Sequence, residues 1–276
     1  MDELLNLNNI IASDMLKSIS LSHTSKGILF KWTTIIENKE YYYKSGKLSY
    51  GIFKNLEPIN ECISYKVGKL LGIDCVEYTL EKLHISETDE YEEQDILVCK
   101  SESFLGEDER FRSVYQLLGI NESIDYSYEN LLVHFPEIEE KLNTMIILDY
   151  IINNTDRHLN NFGFREENNG NINGMTKIFD NGNSLYCDLN LDDIKSILNN
   201  PISYKRFDKA KPFKSKHSKQ IKVIKNLPNL NLDFDDKIID EIVSDYSEYI
   251  GELRAKTIIL LITRRLKDVR ELYSKR

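Results

Sequence analysis

Three polar side chains suited to phosphate chemistry stand in a fixed order along one part of the chain. Asp156 and Asn161 lie five positions apart in "NNTDRHLNNFGF", and Asp180 follows in "KIFDNGNS". Asn and Asp are common in turns, but a turn does not require this spacing or the later acid. A carboxylate can orient an attacking hydroxyl, and carboxylate and amide oxygens are ligands that Mg²⁺ accepts. The pattern indicates phosphoryl transfer from ATP, with Asp156 orienting the acceptor and Asn161 and Asp180 holding the metal.

Phosphoryl transfer also needs a cation and exposed N–H groups against the ATP phosphates. Lys44 lies in the middle of the strand-like run "YYYKSG", and Glu61 follows on a predicted helix, where it can pair with this lysine. The segment "SLSHTSKG" (20–27) precedes the first long strand, where a phosphate-covering loop belongs. Its predicted ATP-binding residues are Thr24, Ser25, Lys26 and Gly27.

These residues stand in segments that resemble HipA-like serine/threonine kinases. The specific part of the likeness is "LDYIINNTDRHLNNFGF" followed by "KIFDNGNSL", and a looser likeness covers "ECISYKVGKLLGIDCVEY" and "KAKPF...HSKQ". The resemblance implies an α+β, two-lobed protein-kinase-like fold that binds ATP and Mg²⁺ and phosphorylates protein serine or threonine. It makes Asp156 the catalytic aspartate, Asn161 and Asp180 the metal ligands, and Lys44 the phosphate-contacting lysine.

The resemblance also implies regulation and partners. In some members of this family a serine of the phosphate loop is autophosphorylated, which expels the loop and switches the enzyme off. Ser22, Thr24 and Ser25 are the candidates here, because a phosphate on this segment would repel the phosphates of ATP. A toxin or effector kinase is expected, with a separate antitoxin as a possible partner. The chain lacks a match to the additional N-terminal subdomain of longer HipA toxins.

The elements that must position these residues divide the chain into two parts. Residues 1–100 are predicted as a strand-rich N-lobe that carries the phosphate loop, the lysine strand and the glutamate helix. Residues 101–276 are predicted as a helical C-lobe that carries the catalytic loop and the metal site. Apolar periodicity and turn residues predict the individual elements. These are helices at 3–17, 58–71, 137–154 (the longest), 191–198, 217–225, 235–249 and 252–273, a loop at 20–27, and strands at 28–36, 41–48, 75–83, 95–102, 162–164 and 175–180.

Composition excludes several classes of protein. A net charge of −9 argues against general nucleic-acid binding. No stretch approaches 18 uninterrupted apolar residues, and the N-terminus lacks the basic start of a signal peptide. The four cysteines show no paired spacing, which favours reduced thiols and no zinc site. We therefore expect a cytoplasmic protein without a membrane span, although secretion as an effector stays open.

Several polar residues have simpler interpretations. His158 is expected to hydrogen-bond the loop backbone, Asp149 to meet a buried partner or solvent, and Arg157 to form an outward salt bridge. The basic run at 209–225 is either a solvated face or a docking surface for an acidic protein or nucleic acid. Two alternatives to a protein kinase remain: a lipid or small-molecule kinase, such as a phosphatidylinositol 4-kinase-like enzyme, and a pseudokinase that binds without turnover.

Overall fold

The fold combines one large antiparallel sheet with a mostly helical part. The computed structural model describes residues 5–6, 20–24, 27–49, 52–85, 93–119 and 127–275. Contacts divide the chain into two compact units, the first comprising Met1–Tyr65 and Val76–Phe104, the second Lys66–Cys75 and Leu105–Arg276. This α+β arrangement, strand-rich first and helical later, agrees with the predicted fold class.

The first unit contains a seven-stranded sheet in the order β1-β6-β7-β4-β3-β2, with β5 paired to β4. All pairings are antiparallel except the parallel pairing of β1 with β6. The strands are β1 (Leu5–Asn6), β2 (Ser20–Thr24), β3 (Gly27–Ile36), β4 (Lys39–Ser49), β5 (Ile52–Phe53), β6 (Thr79–Ile85) and β7 (Gln94–Glu102).

Aromatic and β-branched residues build this sheet, as their preference for half-buried pleated surfaces predicts. Trp32 of β3 stacks on Tyr43 of β4 with ring centroids 5.2 Å apart. A tight turn joins the two strands through Glu37 and Asn38, whose φ angles of 51° and 63° are those of a hairpin turn. The helix α1 (Leu56–Leu70) follows, and its buried face includes Ile59. The sheet and this helix therefore provide a rigid frame for Lys44 and Glu61.

The second unit is helical apart from a small antiparallel sheet in the order β10-β9-β8. Its strands are β8 (Glu109–Ser113), β9 (Gly163–Glu167) and β10 (Ile172–Met175). Its helices are α2 (Val114–Leu118), α3 (Tyr128–His134), α4 (Glu139–Ile152), α5 (Leu191–Asn199), α6 (His217–Gln220), α7 (Lys237–Ser244), α8 (Ser247–Ile250) and α9 (Glu252–Ser274).

Helix α4 lies in the core of the second unit. Every residue from Met145 to Ile152 is buried, which agrees with the prediction of a helix that is apolar almost all round. The last helix, α9, packs against α4 and carries Arg265, which donates to the Tyr150 carbonyl and, at 2.8 Å, to Oδ1 of Asn153. The C-terminal end of α4 is thereby fixed at the residue where the predicted catalytic loop begins.

Several predictions about individual elements were wrong. The strand predicted at 175–180 ends at Met175, and beyond it only Ile178 forms an isolated bridge. The helix predicted at 235–249 is divided into α7 and α8. Residues 3–17 do not form one helix, because Leu5–Asn6 is a strand; the rest of that range lies outside the described residues. Residues 20–24 form strand β2 instead of a loop, since Ser20–Thr24 pairs with β3 along its length. The longest helix described is α9, with 23 residues, whereas α4 has 14. The run of apolar residues made α4 conspicuous in the sequence, but apolar composition does not determine the length of a helix.

A search of the described residues finds no helix that is both long and apolar enough to cross a membrane. Within the same part of the chain none of the four cysteines forms a disulfide.

Gly163, in the conspicuous "NNFGF" segment, allows β9 to approach β8 closely. A Cβ atom at this position would lie 2.1 Å from the Arg112 carbonyl oxygen and 2.7 Å from Cα of Ser113. Backbone cannot move aside as a side chain can, so we expect Gly163→Ala to lower the free energy of unfolding by about 2 kcal/mol or more. Denaturant unfolding would measure the change.

Gly106→Ala is the matched control, because its Cβ would lie 3.5 Å from the Glu109 carboxylate, at ordinary contact distance. We expect it to change stability by less than about 0.5 kcal/mol. Equal stabilities of the two variants would contradict the close approach at Gly163.

Candidate active site

Lys44 and Glu61 form a buried ion pair in the first unit. Lys44 Nζ lies 2.6 Å from Oε1 of Glu61, and the two side chains are 13% and 0% exposed. The central strand β4 presents the lysine and helix α1 presents the glutamate. Because a buried charge is tolerated only when it is paired, each side chain holds the other in place. The pair can present an ammonium group to phosphate oxygens.

A second, similar ion pair lies beside the first and was not predicted from the sequence. Lys47 Nζ lies 3.2 Å from Oε1 of Glu57, and both side chains are buried. A β-bulge explains it: the register advances three residues on β4, from Lys44 to Lys47, while β3 advances only two. The extra residue turns both lysines toward α1. Glu57 and Glu61 are four apart on one helix face, which is the signal that could have revealed the pair.

The predicted phosphate loop is only partly described. Ser22 and Thr24 lie in β2, where they pair with Leu29 and Gly27 of β3. Gly27 is the first residue of β3. Ser25 and Lys26 lie outside the described residues. Thr24 and Gly27 therefore stand at the two facing strand ends on either side of this segment.

In the second unit the predicted catalytic loop begins where α4 ends. Asn153 ends the helix in the left-handed conformation, with φ 55° and ψ 50°, which Asn adopts more readily than most residues. Asn154 is fully buried, and its side chain donates to Oδ1 of Asp149 at 3.1 Å and accepts from the Asp156 N–H at 3.0 Å. The short polar side chains of "NNTD" therefore supply the hydrogen bonds that a buried loop backbone needs.

Asp156 is held in place while its carboxylate remains accessible. Its side chain is 34% exposed, and Oδ1 lies 2.7 Å from Nζ of Lys211. The Asn183 amide donates to the other carboxylate oxygen at 3.4 Å. An anchored and partly exposed carboxylate can accept a hydrogen bond from an incoming hydroxyl.

Asn161 and Asp180 have the chemistry of magnesium ligands. The Asn161 amide nitrogen donates to the Asp156 carbonyl at 2.9 Å, which leaves its amide oxygen as the end available to a cation. Asp180 has a left-handed backbone with φ 59°, a conformation that Asp tolerates better than bulky residues do. No three His, Cys, Asp or Glu of the described residues cluster as a metal site. A metal here would combine one amide with one carboxylate, a hard-oxygen set that suits Mg²⁺ supplemented by water and phosphate.

The buried pair of Asp149 and Arg157 joins these elements. Both side chains are 0% exposed, and the guanidinium meets the carboxylate through two hydrogen bonds of 3.0 Å, from Nε to Oδ2 and from Nη2 to Oδ1. Arg157 also donates to the carbonyls of Asn161 and Phe179 and to the Asn181 side chain. Burial raises the pKa of Asp149, and the Arg157 guanidinium opposes that rise.

The prediction of an outward salt bridge for Arg157 was therefore wrong. Its neighbours Asp156 and His158 are partly exposed, so the sequence position suggested a loop surface. The fold instead turns this side chain inward, where it satisfies carbonyls at Asn161 and directly before Asp180. A single guanidinium thus fixes the backbone beside both proposed metal ligands, a positioning role that needs its five donors in a planar fork.

His158 contacts the loop backbone. Its side-chain Nδ1 accepts from the backbone N–H of Asn160 at 3.3 Å, and the backbone N–H of His158 donates to the Asp156 carbonyl at 2.8 Å. Both contacts keep the turn after Asp156 in one conformation.

Removing one member of the Asp149–Arg157 pair should be costly. Arg157→Met leaves a buried carboxylate and two carbonyls without their donor, so we expect the free energy of unfolding to fall by about 3–5 kcal/mol. The double variant Asp149→Leu/Arg157→Met removes both charges and should lose clearly less than the sum of the two single variants. Chemical denaturation of all three variants measures this.

The exposed pair Lys256–Glu252 on α9 serves as the control, because its side chains are 65% and 85% exposed. Lys256→Met should cost no more than about 0.5 kcal/mol. Strict additivity at Asp149 and Arg157 would contradict the coupling inferred here.

No family model matches the chain, and no curated protein matches it either. Among solved structures, the chain is similar to the crystal structure of CtkA, described as a proinflammatory kinase of Helicobacter pylori. The TM-score is 0.61 at 15% sequence identity, and the match covers 90% of this chain and 91% of that chain. At this identity a likeness establishes the fold alone. The chain therefore has a two-lobed protein-kinase-like fold, with a strand-rich N-lobe and a helical C-lobe.

Proposed function

We propose that this protein is an ATP-dependent, magnesium-dependent kinase of the HipA-like type that phosphorylates serine or threonine in a protein. The observation that carries the proposal is the loop around Asp156. A carboxylate that is 34% exposed sits on a backbone whose turns are held by Asn154, His158 and Asn161. A mere turn would not need to combine an accessible acid with a fully buried arginine beside it.

Each proposed residue has a role in that reaction. Asp156 accepts a hydrogen bond from the acceptor hydroxyl and orients it, and Asn161 and Asp180 bind Mg²⁺, which neutralises the phosphate oxygens. Lys44, held in place by Glu61, contacts the phosphates, and Thr24, Ser25, Lys26 and Gly27 cover them. Binding of a separate antitoxin stays a prediction.

Asp156→Asn separates catalysis from structure. Asn retains the side-chain shape but cannot take the proton of the hydroxyl, so we expect turnover to fall by about 10² to 10⁴ while the fold and ATP affinity survive. Asp180→Ala is the matched partner variant, and it should lose the Mg²⁺-dependent part of ATP binding. Single-turnover transfer from labelled ATP and calorimetry with and without Mg²⁺ measure both variants.

Near-wild-type turnover by Asp156→Asn would make Asp156 a turn residue only. ATP binding without transfer to any protein or to the chain itself would favour a pseudokinase. Label that appears in lipid or in a small molecule would favour the corresponding alternative.

The proposed control by autophosphorylation is tested separately. After prolonged incubation with ATP and Mg²⁺, we expect phosphate on Ser22, Thr24 or Ser25 of the wild-type protein and none in Asp156→Asn. Added charge of about −1.5 to −2 should repel ATP and slow further transfer. Mass spectrometry of residues 20–27 measures this, and their complete lack of phosphate in an active enzyme would contradict it.

A further inference from the structure

A strip of lysines in the second unit lies beside the proposed catalytic aspartate. The segment 209–225, "KAKPFKSKHSKQIKVIK", contains no acid, although the whole chain has a net charge of −9. Its lysines are all exposed. They are Lys209, Lys211, Lys214, Lys216, Lys219, Lys222 and Lys225, and together they are called the lysine strip below.

Part of the positive charge of the strip is not balanced by ion pairs. Lys214, Lys216 and Lys219 have no ion-pair partner among the described residues. The nearest acid in sequence, Asp208, is already engaged by Ser218, whose hydroxyl lies 2.5 Å away, and by Arg265. Burial lowers the pKa of His217 to about 3, so this side chain is neutral at pH 7 and adds no charge. The field at the strip therefore comes from its lysines, and it favours an anion.

The backbone that carries the strip is rigidly held. Gln220 is fully buried, its oxygen accepts from the N–H groups of Phe213 and Lys214, and its amide donates to the Lys211 carbonyl at 2.9 Å. Beside Lys216 a recess of about 290 Å³ opens, lined in part by Tyr204 and Lys205. A fixed platform loses little conformational entropy when a partner binds to it.

Lys211 connects the strip to the reaction centre. Its ammonium lies 2.7 Å from the Asp156 carboxylate, while its carbonyl is held by Gln220. A chain whose hydroxyl reaches Asp156 therefore comes close to Lys211 of the strip. Acidic residues next to that hydroxyl would be attracted by the positive charge of the strip.

We propose that the lysine strip is a docking surface for an acidic segment of the protein substrate, with Asp or Glu residues flanking the serine or threonine that is phosphorylated. The inference rests on the proposed function for the reaction, but the docking itself can be measured without turnover. Charge complementarity selects an acidic peptide and disfavours basic sequences, since like charges repel at close range.

A binding experiment tests the strip directly. The probe is a labelled peptide with Glu on both sides of a central Ala, and the comparison peptide has Gln in place of every Glu. We expect the acidic peptide to bind at least about tenfold more tightly, and the variant Lys214→Gln/Lys216→Gln/Lys219→Gln to lose about tenfold, as several exposed ion pairs would give. Raising the salt concentration should weaken this binding.

The control variant, Lys195→Gln/Lys237→Gln/Lys267→Gln, removes the same charge from exposed lysines elsewhere in the second unit. It should bind the acidic peptide as wild type does. Equal loss in both variants, or equal binding of the two peptides, would overturn the docking surface. If an RNA oligonucleotide of mixed sequence binds more tightly than the acidic peptide and displaces it, the strip is a nucleic-acid surface and the proposed peptide docking is wrong.

Replacing the central Ala by Ser adds the catalytic readout. The strip variant should then raise KM about tenfold with kcat unchanged, because Lys211 and Asp156 are intact. If the acidic peptide binds but is not phosphorylated, the proposed function is contradicted and the docking surface is supported. If the serine is phosphorylated equally well in the Glu and Gln peptides, the docking surface is contradicted and the proposed function is supported.

Discussion

The arrangement of the candidate site depends on one buried charge pair. Asp149, near the end of a helix that is buried all round, and Arg157, one residue after the proposed catalytic acid, are both fully buried. Taking either charge out of water alone would cost several kcal/mol, so the two must meet, and the loop between them has to close tightly. Once closed, the remaining donors of Arg157 reach the carbonyls of Asn161 and Phe179. The acid that should orient the hydroxyl and the residues that should hold the metal are thereby fixed by a side chain with no direct role in the chemistry.

Buried charges must also be paired in the first unit, at the strand that carries Lys44. Two lysines three positions apart would ordinarily point to opposite faces of a strand, but the bulge in β4 turns both toward α1. Glu57 and Glu61 meet them there. Gly46, inside the bulge, lies so close to the Lys54 carbonyl that a Cβ would fall 1.5 Å from the oxygen. The backbone geometry that places the lysines therefore requires glycine at this position.

Charge is distributed unevenly over the chain in a way that suits the proposed reaction. The proposed metal ligands Asn161 and Asp180 would bind a cation, and the lysine strip beside Asp156 would attract an acidic polypeptide. The buried His217 and Gln220 beneath the strip are neutral or hydrogen-bonded, so they shape the platform without cancelling its charge. Most of this surface lies on the segment 209–220, and Lys211 of that segment contacts Asp156.

The sequence by itself determined what depends on local pattern. Aromatic and β-branched residues predicted strands β3 and β4, and alternation predicted β7. Apolar periodicity predicted α1 and α4, and the spacing of Asp156, Asn161 and Asp180 identified a candidate site. The sequence did not predict the direction of individual side chains, because that direction depends on partners distant in the chain. Arg157 looked like a surface residue until Asp149 and the Phe179 carbonyl surrounded it, and Lys47 gained a role only through a bulge that no propensity encodes. Lys211, 55 positions from Asp156, reaches that acid only because Gln220 folds its loop back. Local propensity identified the groups with chemical potential, and long-range packing and the need to neutralise buried charge decided which of them meet.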